Sequence, residues 1–201
     1  MRLPDGDPEL SLPRRELQRG WYLAGAGVRV ARAELTLRRH RVEHGALPSM
    51  MGRPPLITNR GEIRVGRHFS TSGRQFRASI GTGSGGSLVI GDDVFLNQGS
   101  VVHAELSVTI GSRVRIGDLS AVYDTNFHEL EAGQGVRMAP VVIEDDVWLA
   151  RQVVVLPGTT IGTGTVVGAG SVVKGEIPAW VVVSGVPAKV VREISERGPR
   201  S

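Results

Sequence analysis

An aliphatic side chain recurs at every sixth position through the C-terminal half of the chain. The column consists of Ile143, Leu149, Val155, Ile161, Val167 and Val173. Four residues after each of the first five members comes a small or β-branched side chain: Val147, Val153, Thr159, Thr165 and Ser171. This six-residue period fits neither the 3.6-residue period of an α-helix nor the two-residue alternation of long strands.

The period predicts a coil with three short, flat sides, each formed by one strand and ended by a tight turn. In such a coil the aliphatic side chains point inward, the small residues pack beside the corners, and glycine or aspartate accepts left-handed backbone angles at the turns. Successive coils stack at the spacing of neighbouring strands, about 4.8 Å. Because each coil buries its face only against a neighbour, we predict an all-β fold, a parallel β-helix.

Shorter runs of the same pattern lie upstream. One run is Ile90-Gly91, Leu96 and Val102, and a second, shifted by two residues, is Ile110-Gly111, Ile116-Gly117 and Val122. The pattern then disappears from 123 to 140, and Ile143 restarts it out of phase. Since loops on rigid scaffolds commonly carry functional residues, we expect a functional loop, ejected from the coil, at residues 123–140.

The pattern divides the chain into three segments. Residues 1–62 are expected to form an N-terminal basic, partly helical segment, with a helix over 14–46 that ends near Gly45 and Pro48. Residues 63–178 are expected to form the β-helix with its ejected loop. Residues 179–201 are expected to form a C-terminal strand, at 180–183, and a frayed tail.

Composition agrees with a fold that reuses small aliphatic residues. Of the 201 residues, 40% are hydrophobic but only 4% are aromatic, and 27 are glycine. There is no cysteine, which excludes a disulfide framework and thiolate zinc sites and is compatible with a reducing cytoplasm. The apolar runs are much shorter than the roughly 20 residues that span a bilayer. We expect a soluble, cytoplasmic protein.

Positive charge is concentrated near the N-terminus. The formal net charge is +4, but the stretch from Arg14 to Arg41 contains eight Arg and two Glu. Such a segment can meet nucleic acid, an anionic lipid surface or a phosphorylated ligand, or it can be a solvated helix face. We favour the solvated face, expect no nucleic-acid partner, and keep a peripheral membrane contact as the less favoured alternative.

The ejected loop contains one histidine among polar neighbours, in the sequence Asp124-Thr125-Asn126-Phe127-His128-Glu129. A neutral imidazole can accept a proton near pH 7, which suits a general base. An exposed loop histidine without a catalytic role explains the same spacing. The residues alone leave both interpretations open.

The chain resembles the left-handed β-helix acetyltransferases built from hexapeptide repeats, in particular the maltose, galactoside and colanic-acid-type O-acetyltransferases. The resemblance covers residues from about 63 to 194 and is most specific from 141 to 192. Besides the repeats, it rests on the motifs Asp124-Thr125-Asn126-Phe127-His128, Asp145-Asp146-Val147-Trp148, Leu156-Pro157-Gly158-Thr159-Thr160-Ile161-Gly162, Val167-Gly168-Ala169-Gly170-Ser171-Val172-Val173 and Gly185-Val186-Pro187-Ala188-Lys189-Val190-Val191-Arg192.

The resemblance implies a homotrimer with acetyl-CoA in the groove between neighbouring β-helices. It implies that His128 is the catalytic base, that Asp124 and Asn126 of the same loop bind the acceptor, and that Asn97 faces the acceptor pocket. It places Trp148 beside the pantetheine arm of the donor. Near the nucleotide end, where cations meet the CoA phosphates, it places Thr160, Lys189 and Arg192. The alternatives are subunit packing for Trp148 and ordinary surface charge for Lys189 and Arg192.

One position departs from the family pattern. The family usually has glycine and then a small residue after the aliphatic that follows the tryptophan, whereas here Ala150 and Arg151 follow Leu149. The resemblance places both residues close to the thioester of the donor. Arg151 could bind CoA, narrow the pantetheine channel or point aside.

Other motifs give weaker indications of function. The segment Gly81-Thr82-Gly83-Ser84-Gly85-Gly86 has the spacing of a dinucleotide-binding loop, but a strand and not a helix is expected after it, so we interpret it as a turn. His40 and His44 have helical spacing without a third ligand, and a β-helix carbonic anhydrase needs three histidines around zinc. We expect no metal. His103 is expected on the outer surface, as a substrate contact or a plain surface residue.

These observations lead to one leading hypothesis and two rivals. The leading hypothesis is transfer of an acetyl group from acetyl-CoA to a hydroxyl of a sugar or glycan precursor. We expect direct transfer, because no cysteine or activated serine offers a covalent route. The rivals are an N-acyltransferase acting on an amino sugar and a non-catalytic trimeric β-helix scaffold.

Overall fold

The described part of the chain starts with one helix and continues in short strands. The structure is a computed structural model and describes residues 12–129 and 131–195. The helix is α1 (Leu12–Arg39). The strands of this part of the chain are β1 (Glu43–His44), β2 (Ser49–Gly52), β3 (Leu56–Asn59), β4 (Glu62–Val65), β5 (Ser70–Gly73), β6 (Ser79–Thr82), β7 (Ser87–Ile90), β8 (Phe95–Leu96), β9 (Val101–Ala104), β10 (Ser107–Ile110), β11 (Arg115–Ile116), β12 (Ala121–Tyr123), β13 (Val141–Ile143), β14 (Trp148–Leu149), β15 (Val154–Val155), β16 (Thr160–Ile161), β17 (Val166–Val167), β18 (Val172–Val173), β19 (Glu176–Ile177), β20 (Val181–Gly185) and β21 (Ala188–Glu193).

The strands form three sheets that are the three sides of a prism. Sheet A runs in the order β1-β4-β7-β10-β13-β16-β19, sheet B in the order β2-β5-β8-β11-β14-β17-β20-β21, and sheet C in the order β3-β6-β9-β12-β15-β18. Each turn of the chain adds one strand to each sheet in succession. Neighbouring sheets meet at the corners of the prism, which we call A–B, B–C and C–A after the two sheets that the chain connects there. The predicted parallel β-helix is confirmed, and it has about six turns.

The six-residue period fills the interior of the prism as predicted. All six aliphatics of the column from Ile143 to Val173 are fully buried, and so are the five small or β-branched residues that follow them. Residues of successive turns lie in register, so that Ile143 pairs with Ile161 and Leu149 pairs with Val167. One period of the sequence therefore builds three vertical stacks of side chains, one for each sheet.

The buried hydroxyls of the second column close hydrogen bonds at the corners. The Thr159 hydroxyl donates to the carbonyl of Leu156 at 2.6 Å, and the Ser171 hydroxyl donates to the carbonyl of Gly168 at 2.7 Å. A buried hydroxyl without a partner is destabilising, so these bonds allow a polar atom inside an apolar shaft. They also fix the turn that re-aims the chain toward the next side.

The turns take the left-handed backbone angles that the sequence indicated. Asp146, Gly158, Gly164 and Gly170 have φ between 60° and 76°, at intervals of six residues with Gln152 between them at 59°. Only glycine adopts such angles without strain from a Cβ atom. Asp146 and Gln152 are held at these angles by hydrogen bonds to the neighbouring coils, for example from the Gln152 amide to the Asp118 carbonyl.

Helix α1 ends earlier than predicted. It stops at Arg39, not near Gly45, because Arg41 takes a left-handed φ of 55° and the amide of Val42 donates to the carbonyl of Leu37 at 3.0 Å. This is a Schellman cap, which usually has glycine at the left-handed position. Arginine stands there in this chain, so the pattern of residues did not reveal the cap. Leu37 and Val42 are both buried and cover the first coil together with Ala33. In the described ranges there is no helix long and apolar enough to cross a membrane.

The β-helix begins about one turn before the expected boundary at residue 63. Residues 43–59 already form β1, β2 and β3, which pair with β4, β5 and β6 of the next turn. Met50 and Ile57 fill this first turn. The region lacks the regular six-residue spacing, since its turns contain prolines and are of unequal length, and for that reason the pattern did not show it.

The C-terminal end of the prism is closed by two strands where one was expected. β20 continues sheet B in parallel, and β21 returns antiparallel to it. The expected strand at 180–183 corresponds to β20. The expected tail lies outside the described residues from 196 onward.

The A–B corner is a ladder of charge pairs. Arg67 donates from Nε and Nη2 to one carboxylate oxygen of Asp92, at 3.0 and 2.7 Å. Arg113 donates to both carboxylate oxygens of Asp146, at 2.8 Å each. The hydrogen bonds raise the pKa of Arg113 and lower the pKa of Asp92. These charges hold successive turns together, so this corner is structural.

Candidate functional site

The ejected loop leaves the prism at the C–A corner. β12 ends at Tyr123 and β13 begins at Val141, so the loop is 124–140, as predicted to within one residue. The other crossings of this corner are short turns, such as residues 105–106 between β9 and β10. The long loop therefore overlies a corner that is otherwise narrow.

Asp124 anchors the first residue of the loop. Its side chain is fully buried and accepts hydrogen bonds from the backbone amides of Glu105 (2.8 Å), Leu106 (2.8 Å) and Ser107 (2.6 Å). These amides belong to the turn of the preceding coil. Since both carboxylate oxygens are engaged, the geometry favours an anchoring role for Asp124 over the direct acceptor contact expected from the family.

The base of the loop is a short antiparallel ladder. Thr125 forms a bridge with Met138, the Asn126 amide donates to the Arg137 carbonyl at 3.1 Å, and the Ala139 amide donates to the Asp124 carbonyl at 2.9 Å. The Gly158 amide of the following coil donates to the Ala139 carbonyl at 3.1 Å. The loop is thus tied to the coils on both sides of it. Asn126 is partly buried.

Farther out, Glu129 organises the turn that follows His128. Its carboxylate accepts hydrogen bonds from the amides of Gly133 (2.8 Å) and Gly135 (3.1 Å). The side chain next to the histidine in sequence is therefore engaged with the loop itself.

His128 is exposed at the surface of this ordered loop. It makes no hydrogen bond to any of the described residues. An imidazole that serves as a general base is usually oriented by a second group. In this chain nothing supplies that orientation within the described ranges, so a bound substrate or another subunit would have to.

Three rings lie beside the loop on the outer face of sheet C. His103 and Tyr123 are paired in register on β9 and β12. The ring of Phe127 lies 5.6 Å from His103 and 5.3 Å from Tyr123 between centroids, edge-on to the tyrosine. These spacings are those of favourable aromatic pairs. Phe127 thus folds back over the sheet, directly before His128 in sequence.

His103 is fixed by a carboxylate. Its Nε2–H donates to Oε1 of Glu105 at 2.8 Å, and the imidazole is 21% exposed. The two residues pack on the coil below, where a Cβ at Gly81 would come within 2.7 Å of His103 Nδ1 and a Cβ at Gly83 would overlap the Glu105 carboxylate. Within the glycine-rich segment 81–86, residues 83–86 form the predicted turn, whereas Gly81 and Thr82 are the last residues of β6. The segment packs beneath His103 and Glu105.

A second set of the expected site residues lies at the B–C corner. Asn97 follows β8, and Ala150 and Arg151 follow β14, two turns farther along the prism. At about 4.8 Å per turn, their backbones are separated by roughly 10 Å. Arg151 is exposed and Asn97 is partly buried. The Oδ1 atom of Asp118, in the turn between them, is buried without a hydrogen-bond partner among the described residues.

The remaining residues that were expected to bind acetyl-CoA lie on sheets A and B. Trp148 lies on the outer face of sheet B, with 47% of its surface exposed. Lys189 and Arg192 lie on β21 at the end of the same sheet, and both are exposed. Thr160 lies on β16 in sheet A and is partly buried.

The two sets of residues do not meet within one chain. The loop with His128 lies at the C–A corner, whereas Asn97, Ala150 and Arg151 lie at the B–C corner, and the width of sheet C separates the corners. Trp148 lies on sheet B, which does not border the C–A corner. If these residues act on one substrate, a second copy of the chain has to bring them together.

Sequence reasoning found the loop and His128 but missed the pair of His103 and Glu105 and the rings around it. The outward position of His103, which alternates with the buried Val102 and Ala104, was predicted and is confirmed. Its neighbours in the adjoining turns were not apparent, since they depend on the lengths of irregular turns. Within the described ranges, no group of three or more His, Asp or Glu side chains is placed to hold a metal.

Comparison with known proteins agrees with the fold and the motifs. The bacterial transferase hexapeptide family (six repeats) matches residues 140–175. WbbJ of Escherichia coli (strain K12), named for an O-acetyl transferase role in lipopolysaccharide biosynthesis, is 37% identical over 152 residues, which are 70% of this chain and 76% of WbbJ. The chain belongs to the hexapeptide-repeat acetyltransferase family.

Other members of the hexapeptide-repeat acetyltransferase family match over shorter stretches. Galactoside O-acetyltransferase of Escherichia coli (strain K12) is 38% identical over 116 residues, 56% of this chain and 57% of that enzyme. The chain spans as little as 37% of the length of another curated relative. The crystal structure of the hexapeptide-repeat acetyltransferase VCA0836 of Vibrio cholerae O1 biovar eltor, complexed with acetyl coenzyme A, superposes with a TM-score of 0.55 at 28% identity, covering 81% of this chain and 76% of that one.

Proposed function

We propose that the protein transfers an acetyl group from acetyl-CoA to a hydroxyl of a sugar or glycan precursor, with His128 as the general base. The observation that carries the proposal is the ordered loop at the C–A corner, which is tied to the coils on both sides and presents an exposed imidazole. The family and the acetyl coenzyme A complex of VCA0836 support the donor. The names of galactoside O-acetyltransferase and WbbJ support a carbohydrate hydroxyl as acceptor.

The reaction we propose is a direct transfer. Neutral His128 takes the proton of the acceptor hydroxyl while the hydroxyl oxygen attacks the thioester carbonyl carbon. The carbon–sulfur bond then breaks, and the proton passes from the imidazolium to the departing thiolate, which gives free CoA and an acetyl ester. No covalent acetyl-enzyme is required.

A homotrimer would complete the site. One subunit would supply the loop with His128 from its C–A corner, and its neighbour would supply Asn97, Ala150 and Arg151 from its B–C corner. The exposed Trp148 would then line the pantetheine arm, and Lys189, Arg192 and Thr160 would lie toward the nucleotide.

The test combines mass, binding and turnover on the full chain. We expect a trimeric mass by light scattering, saturable binding of acetyl-CoA by calorimetry, and CoA release that depends on one member of a panel of sugars and glycan precursors. A trimer that binds no acetyl-CoA would refute the proposal and favour the non-catalytic scaffold. Release that occurs only with amino sugars and yields an amide would transfer the assignment to N-acylation.

A further inference from the structure

The ring cluster on sheet C is not needed to hold the loop. Asp124, the bridge between Thr125 and Met138, and the Ala139 bonds already fix the base of the loop, and Glu129 fixes its outer turn. Yet the chain keeps Phe127 over His103 and Tyr123 with 46% of the phenylalanine exposed. A large apolar side chain that is half exposed on an ordered loop is available to a ligand.

The backbone at Phe127 is strained in order to place this ring. Phe127 has a φ of 59°, and its amide donates to Thr125 Oγ1 at 3.1 Å. The other bulky residues with such angles lie at regular corners of the prism or at the end of α1, whereas Phe127 lies in the ejected loop. Strained non-glycine residues that persist cluster at functional sites.

We propose that Phe127, with His103 and Tyr123 behind it, is the platform for one apolar face of the acceptor ring, and that Glu105 reads the hydroxyls at the edge of that ring. The inference rests on the proposed function and names its acceptor class, a neutral pyranose. The C–H face of a pyranose stacks on an aromatic ring, and its equatorial hydroxyls donate to a carboxylate. The next residue along the loop is His128, so the platform lies beside the base.

The charge around the platform selects against anionic acceptors. Glu105 is 33% exposed, and only one of its oxygens is engaged by His103. Glu129 and Glu131 lie on the same loop as Phe127, and both are exposed. A uronic acid or a phosphorylated sugar would bring a like charge to this surface, which disfavours binding.

The experiment measures acceptor KM and acetyl-CoA KM separately for the full chain with neutral methyl hexopyranosides. Phe127→Leu keeps an apolar side chain and the same backbone demand but removes the ring, and we expect it to raise acceptor KM about tenfold with acetyl-CoA KM unchanged. Phe127→Tyr keeps an aromatic ring, so its acceptor KM should stay close to that of the wild type.

Leu106→Ala, at an exposed aliphatic side chain on the same corner, is the matched control and should leave acceptor KM unchanged. A rise in acceptor KM below twofold for Phe127→Leu, or an equal rise for Leu106→Ala, overturns the platform.

Glu105→Gln tests the selectivity. We expect it to lower the preference for a neutral pyranoside over the corresponding uronic acid by about tenfold, measured as the ratio of their kcat/KM values. An unchanged ratio overturns the role of Glu105. A fall in melting temperature without a change in the ratio would mean that Glu105 contributes to stability alone, and its proposed role in acceptor selectivity would be overturned as well.

Saturation-transfer NMR with the same pyranosides and CoA separates this inference from the proposed function. Transfer to the C–H face that is present in the wild type and lost in Phe127→Leu supports the platform even if no acetyl group is transferred, in which case the catalytic proposal alone fails. Turnover without any dependence on Phe127 leaves the catalytic proposal standing and refutes the platform. Neither turnover nor pyranoside binding refutes both.

Discussion

Replacing His128 by alanine should reduce kcat by roughly 10²–10⁴-fold, the range that general-base catalysis supplies. The reason is that the acceptor hydroxyl would lose the group that removes its proton as it attacks the thioester. Acetyl-CoA binding should be unchanged, because in the proposed trimer the residues that bind the donor would come from the B–C corner of a neighbouring chain. Turnover is measured by release of free CoA with a saturating acceptor, and donor binding by calorimetry.

The controls for this variant follow from its exposure. His128 makes no hydrogen bond to the described residues, so its removal should not alter the melting temperature. His40→Ala, at an exposed histidine just beyond α1, should leave kcat unchanged. Activity within threefold of the wild type in His128→Ala would contradict the assignment of the base, and attention would then move to His103, the other histidine beside the loop.

The interior of the prism could be predicted from the sequence because every position of the repeat has one environment. Leu149 and Val167 are one full turn apart, and the period alone places them on the same inner face. The prediction failed where the chain departs from that regularity. The end of α1 depends on an arginine at a left-handed position, and the first coil depends on turns of unequal length around Met50 and Ile57.

The candidate site likewise contains features that the sequence predicts and contacts that it does not. His128 was found because a polar loop with one histidine is visible in the sequence. The contact of Phe127 with His103 was not visible, because it requires Tyr123, His103 and Gly81 to fall in register across turns of 20 and 22 residues.

Replacing Asp124 by alanine should destabilise the protein by about 3 kcal/mol. The three backbone amides that donate to the carboxylate would all lose their acceptor, in a corner where the side chain is fully buried. The loop would lose its attachment to the preceding coil, so amide exchange should rise over 124–129 as well. Stability is measured by urea denaturation at one protein concentration, because an oligomer unfolds at a concentration-dependent midpoint.

Two further variants show whether Asp124 acts through these bonds. Glu131→Gln, at an exposed carboxylate on the same loop, should change the free energy of unfolding by less than about 0.5 kcal/mol. Asp124→Asn keeps one oxygen acceptor and should fall between the wild type and alanine. If Asp124→Ala were as stable as the wild type but bound the acceptor tenfold more weakly, the carboxylate would be a substrate ligand as the family resemblance implied. Because all three amides lie within hydrogen-bond distance of the carboxylate, we expect the loss of stability.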